Sequence, residues 1–188
     1  MEKWSTIALA RFACLYAGAI WGIFWIPVRA INEAGIHGLW SSAIWFAVPT
    51  SLLLPVAIIR YKSIKASGFG LQITALLSGV ALLCYTLAFL YTDVVRAMLL
   101  YYLTPVWSTL LAAAILRETI TWQRVIAIIL AIIGMLVIFG LGLNFPIPRN
   151  IGDWLGILSG FVWAIAIVRI RKHEKHSAID MTLSLIHI

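Results

Sequence analysis

Charge is scarce in this chain. Of its 188 residues only 11% are Asp, Glu, Lys or Arg, and just 7 are acidic. A water-soluble domain carries about a quarter charged residues, so a soluble globular class is excluded. The acidic residues are Glu2, Glu33, Asp93, Glu118, Asp153, Glu174 and Asp180, and none lies in the middle of an apolar run. Cysteine is scarce too. Cys14 and Cys84 both sit in apolar runs, where cysteines act as small hydrophobes, so neither a disulfide framework nor a metal pair is expected. His173, Glu174 and His176 share a basic loop with no fixed scaffold, which argues against a metal site. No set of His, Asp, Glu and Ser converges on one face. An enzyme is therefore not expected, and no cofactor is implied.

What is abundant is apolar sequence. Hydrophobic residues make up 63% and the mean hydropathy is +1.01. The runs are Phe12 to Val28, Gly38 to Ile59, Leu71 to Tyr91, Val94 to Leu116, Val125 to Leu143 and Ile151 to Val168. Each approaches or exceeds the ~20 residues a helix needs to cross a bilayer. A further run begins at Ala178. The expected class is all-α and polytopic: six transmembrane helices plus a partial seventh. The first run ends in Trp25, Ile26 and Pro27 rather than in small residues, so it reads as an uncleaved span and not a signal peptide. Pro49 and Pro55 are expected to interrupt the second. Nine Trp and six Tyr suit two interfacial belts.

The loops give an orientation. On one side fall Lys3, Arg11, Arg60, Lys62, Lys65, Arg117, Arg124, Arg169, Arg171, Lys172 and Lys175. On the other fall only Arg29, Arg96 and Arg149. Positive loops stay in the cytoplasm, so the N-terminus is expected there, in a cytoplasmic (inner) membrane. On this reading the net charge of +7 is topology, not a nucleic-acid surface.

The densest signal lies between Arg96 and Ile138. An apolar helix carries Leu103, Pro105, Val106 and Trp107, ends in Leu116 and Glu118, and is followed by a helix with an inner Gly134. This hairpin resembles the EamA-type domain of the drug/metabolite transporter family. The match departs at Arg117, where the family usually has Gly before the Glu. The resemblance implies ten spans in two five-helix halves of inverted topology. Residues 1–143 would be the first half, 144–150 a loop, and 151–188 the incomplete start of the second. The chain then reads as truncated, and Leu183 to Ile188 resembles read-through at a broken end. A weak internal repeat agrees: displaced by 142 residues, Gly18 falls on Gly160, Trp21 on Trp163 and Arg29 on Arg171. Five spans separate the copies, so the second must insert upside down, as in many carriers.

The implied function is secondary transport of a small metabolite or drug-like solute across the bilayer by alternating access. A proton-coupled carrier usually needs an intramembrane titratable group, and these spans supply none. On a helical wheel Ala97, Tyr101, Thr104, Pro105, Ser108 and Ala112 share a small, polar face of the fourth span. Leu99, Leu103, Val106 and Leu110 lie opposite, toward lipid. Pro105 should kink the helix and leave the carbonyl of Tyr101 short of a partner. The expected solute path is Tyr101, Thr104, Pro105 and Ser108, with Trp21, Tyr85 and Trp163 as further candidates. Arg96 is a candidate for an anionic solute, or a snorkelling anchor beside Asp93. Glu118 is expected in the turn, favoured by the next helix dipole. The Gly18/Gly22 pair should admit a close helix. The Gly152/Gly156/Gly160 stripe is expected to be left uncovered. Both patterns permit a homodimer or a non-transporting subunit.

Overall fold

A computed structural model describes residues 2–66, 68–139 and 147–172. Residues 140–146, which include the start of the loop expected at 144–150, and everything from His173 onward, the partial seventh span included, lie outside the described residues. The elements in order are α1 (Glu2–Ile23), α2 (Trp25–Glu33), α3 (Leu39–Ile59), α4 (Tyr61–Ala66), α5 (Gly68–Tyr91), α6 (Val94–Tyr101), α7 (Thr104–Leu116), α8 (Trp122–Phe139) and α9 (Ile151–Lys172). Among the described residues six segments are long and apolar enough to cross a membrane: Arg11–Glu33, Leu39–Ile59, Phe69–Tyr91, Val94–Leu116, Trp122–Phe139 and Ile151–Lys172.

Two of the six spans are broken, and both breaks have local causes. The first span turns at Phe24, and Pro27 follows in the first turn of α2, where its missing N–H is no loss. The fourth span breaks at Tyr102 and Leu103, just before Pro105 in the first turn of α7. Pro49 and Pro55, expected to interrupt the second span, do not: α3 runs through both. Each removes one backbone hydrogen bond, a loss that neighbouring groups absorb in membrane helices.

The bundle is organised on α5 and α9, which pack along their lengths, while α6 and α7 cover another side of α9. Small residues make this possible. Ala75, Ala81, Ala88, Ser159, Ala164 and Ala166 are buried, and small side chains let membrane helices approach closely. Arginines fix the ends. Arg29 donates to the carbonyls of Phe89 and Thr92 at the end of α5. At the opposite end Arg169 reaches Gly70 O and Thr74 Oγ1 at its start.

The glycine stripe of α9 is covered, contrary to expectation. A Cβ on Gly152 would lie 2.7 Å from Thr92 N, and one on Gly160 would lie 2.8 Å from Tyr101 O. The stripe meets α6 and the end of α5, helices of the expected first half. Gly18 and Gly22 behave oppositely: nothing lies within 4 Å of a Cβ at either. Among the described residues no helix takes the close approach they permit.

Candidate functional site

The break in the fourth span is the natural place to look. Pro105 has no N–H, so the Tyr101 carbonyl loses its helical donor. Thr104 replaces it, its hydroxyl donating to Tyr101 O at 2.6 Å. Gly160 of α9 presses on both groups, its Cβ position 2.9 Å from Thr104 Oγ1. A polar kink is thus buried at mid-span and held by a glycine that no other residue replaces without a shift.

The break also divides the predicted path. Tyr101 points into a ring cluster: its centroid lies 4.4 Å from that of Tyr85, which stacks at 5.7 Å on Trp21. Phe24, Trp45, Phe46 and Phe89 complete the cluster. Trp21, Tyr85 and Tyr101, chosen from three different spans, therefore meet. Tyr85 is 1% exposed, and among the described residues its hydroxyl has no hydrogen-bond partner. Pro105 and Ser108 face elsewhere. They line a cavity of about 730 Å³ between α7 and α8, alongside Leu99, Leu103 and Val106 from the face expected to meet lipid. Ser108 turns its hydroxyl back to Pro105 O. Thr104 is buried beneath Gly160, and Trp163 is half-buried on α9. The fourth span thus presents Tyr101 to the rings and Ser108 to the groove, although Leu103 between them keeps helical backbone angles.

Arg96 is neither a snorkelling anchor nor a partner of Asp93. It is 9% exposed, and its Nε donates to Asp153 Oδ2 at 2.7 Å. Another guanidinium N–H meets Ile147 O, and the plane lies 5.2 Å from the Phe139 ring. Asp153 is fully buried and saturated. Thr92 Oγ1 donates to Oδ1, and the Arg149 backbone N–H donates to Oδ2. Asn150 caps α9, accepting from Asp153 N, and its amide reaches Thr92. This network joins the end of α5, the start of α6 and the start of α9. The sequence offered one signal for it, the Asn-x-x-Asp cap before an apolar run. Nothing local named Arg96 as the partner.

At the other end Glu118 accepts from Arg124 at 3.1 Å and from Arg171. The bond from Arg124, with that from Arg171, holds its carboxyl below its ordinary value. Arg117, the departure from the family pattern, caps α7 in the left-handed region at φ 56°. Glycine is the residue that adopts this conformation freely at a helix end, which gives the family's Gly a physical reason.

Among the described residues no group of three metal-ligating side chains occurs. No curated protein and no solved structure gives a significant match. The sequence profile of one family does match, over residues 8–140, the span of the first five apolar runs and well over half the chain: the protein belongs to the EamA-like transporter family.

Proposed function

We propose that the protein is a secondary carrier of a small metabolite or drug-like solute, working by alternating access, with its solute path on the aromatic side of the broken fourth span. The observation that carries this reading is the buried Tyr85 hydroxyl without a partner, one ring away from the break. An unpaired buried hydroxyl is unfavourable by about 1–3 kcal/mol. A solute that supplies the missing hydrogen bond in one state of the cycle gives that strain a use. Carrier sites also gather where membrane helices are discontinuous. Trp21, Tyr85 and Tyr101 then offer flat apolar walls and two hydroxyls to an amphipathic solute.

The rest of the reading follows the family. Two halves of inverted topology, a cytoplasmic N-terminus and the inner membrane complete it. The grouping of Arg117, Arg124, Arg169, Arg171 and Lys172 at one end supports that orientation. Labelling single cysteines from outside intact cells tests it: position 37 should react, and reaction at 62 or 172 contradicts it. Function is tested by solute accumulation in cells expressing the full reading frame. Tyr101→Leu should abolish transport while expression holds, and Leu110→Ala should leave it intact. Equal transport by both variants refutes the assignment of the path.

A further inference from the structure

The cavity between α7 and α8 is poorly suited to a polar solute. Its wall is mostly apolar, and none of the described side chains of α8 is buried. It is also not a simple lack of packing. The α8 helix is tied at its two ends. Arg124 in its first turn pairs with Glu118, and Phe139 at its last residue lies against the Arg96 guanidinium. Between those ties the helix stands off α7, leaving a gap of about 730 Å³ that Gly134 keeps open, with nothing within 4 Å of a Cβ there. Both cations that line the gap, Arg124 and Arg171, belong to one end of the bundle. Trp122, 68% exposed beside Arg124, has the position of an interfacial anchor. Each arginine side chain is more than 40% exposed, and its bond to Glu118 leaves further guanidinium N–H groups to donate.

We infer that this groove seats an acidic phospholipid, with its phosphodiester on Arg124 and Arg171 and one acyl chain lying between α7 and α8. Charge complementarity selects the lipid. A groove with apolar walls and two arginines at one mouth matches one anionic headgroup joined to one long chain. Arginine binds phosphate through paired N–H donors, and basic residues near a membrane surface favour acidic lipids. Glu118 competes with the phosphodiester for the same two guanidinium groups, so it tunes the site rather than completing it. This inference stands apart from the proposed solute path, which runs along the ring cluster on another face of the fourth span.

The test is native mass spectrometry of the detergent-purified full chain with added phosphatidylglycerol or phosphatidylcholine. The wild type should retain phosphatidylglycerol about thirtyfold more tightly, on the scale of two surface arginines. Glu118→Gln should raise that retention, because it frees both guanidinium groups. Gly134→Leu, which fills open space, should reduce binding of both lipids while leaving the thermal midpoint unchanged or higher. Inorganic phosphate should not displace the lipid. Equal retention of the two lipids overturns the inference. So does a fall in binding for Glu118→Gln, or unchanged binding for Gly134→Leu. A dimer peak lost in Gly134→Leu would assign the groove to a second copy instead and overturns it as well.

Discussion

The two ends of the bundle hold α9 by opposite means. At one end Arg96 and Asp153 form a buried pair whose lone pairs and protons are met by Thr92, Ile147 O and Arg149 N–H, with Asn150 donating to Thr92 behind them. At the other, Glu118 bridges Arg124 and Arg171 with side chains 28–43% exposed. The first end is dry, and Gly152 adds a backbone approach too close for a Cβ. The second is wet, and loose enough to leave a groove beside it. Burial sets the difference. A charge pair out of water is tolerated only when every donor and acceptor is met, so it fixes one geometry. A solvated pair tolerates many. In a carrier that rocks, the saturated end is suited to act as the fixed point and the solvated end as the part that opens.

The largest expected effect comes from breaking the dry end. Asp153→Asn leaves Arg96 buried without a counter-charge and should cost about 3–5 kcal/mol, read as a lost folded fraction or a much lower melting midpoint in detergent. The paired change Arg96→Met with Asp153→Leu should recover much of that loss, since two apolar side chains replace two satisfied charges. A double variant as unstable as the single would place the stability elsewhere.

Next come the glycines. Gly152→Ala and Gly160→Ala force a Cβ onto backbone and should cost about 1–3 kcal/mol each. Gly18→Ala and Gly22→Ala should stay within about 0.5 kcal/mol, having open space around them. Equal losses at all four positions would show that glycine is needed for something other than close approach. A gain of about 1 kcal/mol is expected for Arg117→Gly, which removes the left-handed strain at the end of α7; a chemical melt in mild detergent checks the sign.

The smallest effect belongs to the wet end. Glu118→Gln should shift the melting midpoint far less than Asp153→Asn. Because the Glu118 carboxyl is held below its ordinary value, its contribution is present above the carboxylate range. It is lost as pH falls through that range. The difference in midpoint between wild type and Glu118→Gln should therefore shrink on acidification. A difference that grows instead has the wrong sign for this bridge.

Much of this architecture was readable in the sequence, because span length and loop charge are local properties. The six apolar runs, the helix break near Pro105 and the loss of the Tyr101 partner all follow from chain chemistry within a few residues. Trp21, Tyr85 and Tyr101 also meet, as a common path required. The failures share one cause: each depended on a partner far along the chain. Arg96 finds Asp153 across 57 residues. The α9 glycines find α5 and α6, and Ser108 lies in the groove beside α8.

On the proposed function, the Tyr85 hydroxyl is kept for a solute and not for the fold. Tyr85→Phe tests it in one variant with two readouts. Removing an unpaired buried hydroxyl should raise the melting midpoint, by about 1 kcal/mol in stability terms, while solute transport falls sharply. A stabilised protein that transports as well as wild type would contradict the claim, and so would a protein in which stability and transport fall together.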